Sequence, residues 1–114
     1  MSLDIWLEHE ACPHCGRSDG GTDNASFGYT YNCSKMWYAI FPDAENMVDI
    51  DGKTGRESLE RLNHAIEVME NDMPRFEEMN PPNNWGSAIG FKCFLKNMRN
   101  AAENYPDARW RSWR

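Results

Sequence analysis

The chain has 114 residues, a length that suits one domain, 1–114, with a core able to fold without disulfides or metal. Hydrophobic residues make up 40% of it, which excludes a disordered chain, and the formal net charge of −6 disfavours binding to nucleic acid phosphates. No apolar run approaches the roughly 20 residues that span a bilayer, and the opening MSLDIWLEHE has acids where a signal peptide has bases. We therefore expect a cytoplasmic protein with neither a membrane nor a nucleic acid as partner.

The N-terminal part of the chain predicts two strands that form a hairpin. From Ser2 to Glu8 apolar residues occupy alternate positions, which is the pattern of a half-buried strand. Residues 11–25 are rich in Gly, Asp, Ser and Asn and predict a loop. The run SFGYTYNC, Ser26–Cys33, returns to aromatic and β-branched residues and predicts the second strand.

Two helices are predicted next. Ser34 is a candidate N-cap for KMWYAIF, and Pro42 ends this short helix. Thr54 and Glu57 match the T-x-x-E pattern of a capping box, so the second helix begins there. Its apolar side chains recur three or four residues apart until Pro74, which predicts one buried stripe.

The C-terminal part predicts one more helix and one more strand. The segment from Pro74 to Met79 adds one helical turn at most, and the third helix runs from Ser87 to Pro106. The tail DARWRSWR alternates and predicts a final strand beside the first or the second. The fold class is therefore α+β, with a small antiparallel sheet of two N-terminal strands plus a C-terminal strand packed against three helices.

The motif CPHCG resembles half of a structural zinc site, in which Cys12 and Cys15 are ligands. A second Cys-x-x-Cys is absent, so the missing ligands would come from the same chain, His9, His14 or Cys33, or from a second CPHCG in a homodimer. A redox dithiol requires a helix after the motif, and the glycine-rich continuation disfavours one. The remaining alternative is a surface loop whose two thiols merely lie close together. Cys33 and Cys93 have apolar neighbours, which predicts buried thiols.

Three polar segments are candidates for a ligand site. NPPNNWGS has two prolines that stiffen the backbone, a tryptophan that offers a stacking face, and a helix start whose amides favour an anionic group. The segment from Thr30 to Lys35 and the turn DGKTG also place donors and acceptors at element ends. The predicted ligand-binding set is Thr30, Asn32, Lys53, Thr54, Asn80, Asn83, Trp85 and Ser87. The alternative for every member is an ordinary turn, cap or core role.

The sequence nominates no catalytic residue. No Ser-His-Asp set, H-E-x-x-H motif or Cys-His pair with a recognisable local context is present. An enzyme would have to use Lys53, Asp49 or Asp51 as its titratable group. We therefore expect a binding protein rather than an enzyme.

With these elements in place, the chain resembles a group of small, functionally uncharacterised proteins of tailed bacteriophages and prophages. The resemblance runs nearly end to end and rests on MSLDIWLE, CPxCG, a Thr-x-Asn before a methionine-bearing helix, DGKTGRES, NPPNNWGS and YPDA. The chain departs from the group at Tyr31, where histidine is usual, and at Asn84, where glycine is usual. The resemblance implies a phage source, the cytoplasm of a bacterial host, a compact α+β domain and an optional cysteine loop, and it implies no activity.

Two functions are expected from these observations. The first is a non-enzymatic phage protein that binds a polar small molecule, such as a nucleotide-like signal, or a host factor, and acts by occupancy or sequestration. Host-defence evasion is the role that this chemistry suggests by analogy. The second is a zinc-dependent homodimeric interaction module, in which CPHCG loops of two chains enclose the metal.

Overall fold

The first strand lies at the centre of a three-stranded antiparallel sheet, and the helices lie between the second and third strands in the sequence. The computed structural model describes residues 2–8, 26–82 and 86–113. In chain order its elements are β1 (Ser2–Glu8), β2 (Ser26–Thr30), α1 (Ser34–Ile40), α2 (Gly55–Asn71), α3 (Met73–Glu77), α4 (Ala88–Asn104) and β3 (Arg109–Trp113). The sheet order is β2-β1-β3, so the C-terminal strand pairs with the first strand and not with the second. The predicted α+β class is confirmed.

The alternation in β1 places one set of side chains in the core. Leu3, Ile5 and Leu7 are fully buried, whereas Asp4 on the opposite face is exposed. Because successive strand residues point to opposite faces, the helices cover only the face that carries the apolar set. Trp110 of β3 is also fully buried and adds to this core.

The second strand is shorter than the sequence predicts. It ends at Thr30, whose Oγ1 accepts a hydrogen bond from the backbone N–H of Asn32 at 3.2 Å. This bond caps a single 3₁₀ turn, Tyr31–Cys33, which turns the chain directly into α1. Ser34 is consequently the first residue of α1 and not its N-cap. A threonine hydroxyl that captures a nearby amide offers the backbone this alternative to the sheet.

Helix α2 begins at the predicted capping box. Thr54 Oγ1 accepts from the N–H of Glu57 at 3.2 Å, and Glu57 Oε1 accepts from the N–H of Thr54 at 2.9 Å. The hydrogen bond from the Thr54 amide stabilises the charged carboxylate, so the pKa of Glu57 lies below its ordinary value of 4.5. The helix buries a stripe that includes three of the predicted residues, Leu62, Ile66 and Met69.

Helices α2 and α4, each of 17 residues, pack against each other. Four of the five predicted core residues of the third helix are buried, Phe91, Leu95, Met98 and Ala102, whereas the fifth, Tyr105, follows the end of α4 and is half-buried. At the beginning of α2 the two backbones come very close. A Cβ on Gly55 would lie 2.5 Å from the carbonyl oxygen of Tyr105 and 2.8 Å from that of Ala102. Only glycine fits there, and the contact joins the start of α2 to the end of α4.

The two predicted core thiols have different environments. Cys33 is fully buried, as predicted, whereas Cys93 is exposed, so the prediction for Cys93 is wrong. Apolar neighbours in sequence mislead on a helix, because adjacent residues lie about 100° apart around its axis. Phe94 and Leu95 turn towards the core while Cys93 faces outward.

Within the described residues, no helix combines the length and apolar character needed to cross a bilayer.

The contact at Gly55 generates a stability prediction. Gly55→Ala forces a methyl group onto two backbone carbonyls that cannot move aside, so we expect the free energy of unfolding to fall by about 2 kcal/mol or more. Urea denaturation measures the change. Asn63→Ala, on the exposed side of the same helix, is the control and should leave stability within about 0.5 kcal/mol of the original. An equally stable Gly55→Ala protein would contradict the close approach of the two helices.

Candidate functional site

The end of β2 and the beginning of α4 meet at one tyrosine. The Tyr29 hydroxyl donates to the Ser87 carbonyl oxygen at 3.2 Å and accepts from the Ser87 N–H at 3.1 Å. The ring stacks on Phe94, with 5.3 Å between centroids, and lies 5.8 Å from Phe91. A single side chain of the sheet thus holds the residue that begins α4.

The connection into α4 lies directly on the end of β2. Gly86 has a φ of +100°, and a Cβ on it would lie 2.7 Å from Thr30 Cγ2 and 2.8 Å from Cys33 Sγ. Cys33 Sγ also donates to the Ser87 carbonyl oxygen at 3.9 Å. Glycine supplies both the conformation and the missing side chain that this approach requires. Burial raises the pKa of the Cys33 thiol and of the Tyr29 hydroxyl, so both groups keep their protons at neutral pH.

Two of the first three amides of α4 are satisfied by the protein itself. Ser87 Oγ accepts from the N–H of Gly90 at 3.0 Å, and Asn80 Oδ1 accepts from the N–H of Ala88 at 2.8 Å. Asn80 therefore acts as a cap that reaches the helix from the preceding loop. A helix start that lies partly buried requires such partners, because an unpaired amide there loses its water without compensation.

The first amides of α2 are satisfied in the same way. The N–H of Gly55 donates to the Ala108 carbonyl oxygen at 2.8 Å, and that of Arg56 donates to the Pro106 carbonyl oxygen at 3.0 Å. The next amide, of Glu57, bonds to Thr54 in the capping box. We expected the amides at a helix start to be free for an anionic ligand, but the amides of Gly55, Arg56 and Glu57 already have partners within the protein.

Two of the predicted polar segments border one hollow of about 700 Å³. We name it the Asn32–Asn80 hollow. One side comes from the turn before α1 and from its first residues, and the other from the loop after α3. Its lining is Tyr31, Asn32, Ser34, Lys35, Glu78, Met79, Asn80, Pro81 and Pro82.

The two asparagines of this hollow are held in complementary orientations. Asn32 Nδ2 donates to Thr30 Oγ1 at 2.9 Å, which leaves the carbonyl end of its amide for a ligand. Asn80 uses its carbonyl end on the Ala88 amide, which leaves its NH₂ group for a ligand. The hollow therefore offers one fixed acceptor and one fixed donor, with the cation of Lys35 and the half-buried ring of Tyr31 beside them.

The other predicted site residues do not join this hollow. Lys53 and Thr54 immediately precede Gly55, which contacts the C-terminal end of α4, whereas Ser87 caps its N-terminal end. A helix of 17 residues is about 25 Å long, so Lys53 and Thr54 lie near one end of α4 and Ser87 lies at the other end. Lys53 lines a second hollow instead. Four predicted residues lie outside the part of the chain that the structure describes: Asn83, Trp85, Cys12 and Cys15.

The organising residue of the site, Tyr29, is absent from the predicted set. The alternation in SFGYT is enough to place Phe27 and Tyr29 on the core face of β2. Its partner Ser87 is 58 residues away, however, and no local spacing connects the two. Lys35 and Pro82 belong to segments that the sequence singled out, whereas Glu78 has no signal beyond its place just after α3.

The described residues contain no cluster of three or more His, Cys, Asp or Glu side chains able to hold a metal ion. Comparisons of the chain with protein-family models, with curated proteins and with solved structures gave no match. The candidate function must therefore be inferred from the geometry of the hollow.

Removal of the Tyr29 hydroxyl tests the joint between the sheet and α4. Tyr29→Phe keeps the stacked ring but deprives the Ser87 N–H and carbonyl of their shared partner. We expect the free energy of unfolding to fall by about 1–3 kcal/mol, the penalty for poorly solvated groups left unpaired. Urea denaturation measures it, and Tyr38→Phe on the exposed side of α1 is the matched control. Equal stability of the two variants would show that the hydroxyl is dispensable.

Proposed function

We propose that the protein is a non-enzymatic binding protein that takes up a polar small molecule in the Asn32–Asn80 hollow and acts by occupancy or sequestration. The observation that carries this proposal is the pair of asparagine amides, one fixed as an acceptor and one as a donor. Each is held by a hydrogen bond to its own surroundings, Thr30 in one case and Ala88 in the other. Amides fixed in advance lose little conformational entropy when a ligand binds.

The lining favours a planar ligand that carries a negative charge. An acceptor and a donor that line one hollow suit a heterocycle with both kinds of polar group, and the Tyr31 ring offers a face for stacking. Lys35 supplies the positive charge that a phosphate or carboxylate requires. The volume of about 700 Å³ lies within the range of roughly 300–1,000 Å³ typical of small-molecule sites. A nucleotide-like signal molecule satisfies all of these requirements.

Binding without catalysis is the simpler function for this lining. Among the described residues, the side chains at the hollow that can act as a nucleophile, acid or base are those of Tyr31, Ser34, Lys35 and Glu78. Nucleophilic catalysis requires a nucleophile in hydrogen-bond contact with a base, and no hydrogen bond or ion pair joins any two of these four side chains. The fixed amides, in contrast, are suited to recognition.

The resemblance to small phage proteins extends the proposal to a place of action. In the cytoplasm of a bacterial host, a protein that sequesters a nucleotide-like signal would interfere with a host response that depends on that signal. The same open hollow, with Lys35 and Glu78 of opposite charge, would also accept a side chain of a host protein. Host-defence evasion is thus the proposed role whether the ligand is a small signal molecule or a host protein, and identification of the ligand distinguishes these two forms of the proposal.

The zinc-dependent homodimer is the second candidate, and the burial of Cys33 bears on its form. Cys33 Sγ is fully buried, faces Ser87 and has a raised pKa, so it is a poor thiolate ligand for a zinc ion held by Cys12 and Cys15. This counts against a site completed by Cys33 of the same chain. A second CPHCG loop, from another copy, is then the more suitable source of two further thiolates.

A ligand screen tests the main proposal. We expect the melting temperature to rise with at least one nucleotide or cyclic nucleotide, because a ligand present at 100 times its Kd stabilises the folded state by about 2.7 kcal/mol. Asn80→Asp keeps the oxygen that caps Ala88 but replaces the NH₂ donor, and Lys35→Met removes the cation. Each should weaken binding about tenfold or more in isothermal titration.

Lys53→Met is the matched control for this screen, since Lys53 carries the same charge at the far end of α4. It should leave the affinity unchanged. A panel that produces no shift would exclude the small-molecule form of the proposal. Binding that survives both Asn80→Asp and Lys35→Met would place the ligand elsewhere.

Metal analysis tests the second candidate. If two CPHCG loops share one ion, the purified protein contains one zinc per two chains, and chelation converts dimers into monomers. Cys12→Ser should have the effect of chelation, whereas Cys93→Ser, which alters an exposed thiol on α4, should not. Light scattering with and without chelator gives the mass. A metal-free protein whose mass does not respond to chelator would exclude this module.

A further inference from the structure

A second hollow, separate from the proposed site, lies along the outer side of α2. Its volume is about 390 Å³, which is again within the range of small-molecule sites. We name it the Phe41–His64 hollow, and its lining is Phe41, Lys53, Glu57, Glu60, Arg61 and His64. It shares no lining residue with the Asn32–Asn80 hollow. Its chemistry differs as well, because charged groups of both signs surround an aromatic ring.

The Asp49 carboxylate fixes the Arg61 guanidinium, one of the two cations that line this hollow. Asp49 Oδ1 accepts from the buried Trp37 Nε1 at 3.0 Å and from Arg61 Nη2 at 2.7 Å and Nε at 3.0 Å. Asp49 Oδ2 accepts from the backbone N–H of Glu45 at 3.3 Å. The neighbouring Val48 adopts a φ of +52°, a strained conformation for a β-branched residue, in the turn that presents Asp49. This network holds the Arg61 guanidinium in one place.

The guanidinium of Arg61 is also stacked. Its Cζ lies 3.9 Å from the centroid of the Phe41 ring, and the side chain is only 28% exposed. Asp49 engages two of the five N–H donors, and the remaining donors include both of Nη1. A planar cation held in advance on two sides is suited to bind a carboxylate through its remaining edge.

The carboxylates of the hollow follow α2 beside this cation. Glu57, Glu60, Arg61 and His64 lie three or four residues apart on successive turns, so they form one stripe on the helix surface. Glu57 already accepts the Thr54 amide through Oε1, which makes Glu60 the less committed carboxylate. Lys53 lies in the turn before the helix and adds a second cation. The two carboxylates, Glu57 and Glu60, therefore lie between the basic groups of Lys53 and Arg61 along the chain.

This mixture of charges disfavours ligands of a single charge. A simple anion at Arg61 or Lys53 would also meet the negative field of Glu57 and Glu60, and a simple cation at Glu60 would meet that of the two basic groups. A molecule with both charges a few ångströms apart avoids both penalties. The Phe41 and His64 rings, with 5.6 Å between centroids, leave an apolar and aromatic wall for the rest of such a molecule.

We propose that the Phe41–His64 hollow binds a small zwitterion of the amino-acid class. Its carboxylate contacts Arg61 and Lys53, and its ammonium group contacts Glu60. Glu60 and Arg61 line the same hollow, so the backbone of one amino acid can reach both with a hydrogen bond at each end. The side chain of the ligand lies along the Phe41 and His64 rings.

The experiment uses the full chain, labelled with ¹⁵N, and a panel of L-alanine, L-leucine, L-phenylalanine and L-glutamate. We expect at least one amino acid to shift the backbone amide signals of Lys53, Glu60, Arg61 and His64 in a saturable manner. The strongest binder is then compared with its N-acetyl derivative, which lacks the ammonium group, and with its carboxamide, which lacks the carboxylate. Each derivative should bind at least about tenfold more weakly.

Variants assign the two contacts. Glu60→Gln should abolish the preference for the amino acid over its N-acetyl derivative, and Lys53→Met should reduce the preference over its carboxamide. Glu67→Gln, exposed on α2 outside the hollow, and Lys35→Met, in the other hollow, are controls that leave both preferences intact. Absence of saturable shifts at these four residues, equal binding of the derivatives, or an unaltered preference in Glu60→Gln would each overturn the proposal. None of these outcomes affects the Asn32–Asn80 hollow.

Discussion

The arrangement of the polar surface depends on the two hydrogen bonds that the Tyr29 hydroxyl makes with Ser87. One hydroxyl satisfies both the N–H and the carbonyl of the residue that caps α4, and so sets where that helix begins relative to the sheet. Gly86 makes the joint possible, because any side chain there would collide with Thr30 and Cys33. Once α4 starts at this place, its Ala88 amide lies within reach of Asn80. The loop that carries Asn80 is thereby drawn towards the turn that carries Asn32.

The same constraint leaves few free amides at the helix starts, so the ligand that we propose would be recognised mainly by side chains. Each long helix begins against other parts of the chain, where its first amides are removed from water and must be paired. At α4 the partners are Asn80 and Ser87, and at α2 they are the capping box and the carbonyls of Pro106 and Ala108. The macrodipole at these ends is already matched by the protein's own acceptors. The cap also orients the Asn80 amide. Because its oxygen accepts from the Ala88 N–H, its NH₂ group is left to contact a ligand.

The two hollows use different means to hold polar groups in position. In the Asn32–Asn80 hollow, neutral amides are oriented by single hydrogen bonds, which suits the donor and acceptor pattern of a planar ligand. In the Phe41–His64 hollow, a guanidinium is fixed by a carboxylate and by an aromatic face, which suits the opposite charges of a zwitterion. A chain with a formal net charge of −6 can hold anionic groups only where cations are placed locally, and each hollow has such a cation. Lys35 serves one hollow, and Lys53 with Arg61 serves the other.

The sequence by itself determined the features that depend on neighbours within one or two turns of the chain. The alternation of Leu3, Ile5 and Leu7, the capping box at Thr54 and the apolar stripes of α2 and α4 predict these elements, because backbone geometry imposes periods of two and of about 3.6 residues. Tertiary structure alone decided which segments meet. It paired β3 with β1 and brought the Tyr29 hydroxyl at the end of β2 onto Ser87. It also separated Lys53 and Thr54 from Asn80 and Ser87 by the length of α4, a distance set by contacts between residues far apart in sequence, about which local patterns carry no information.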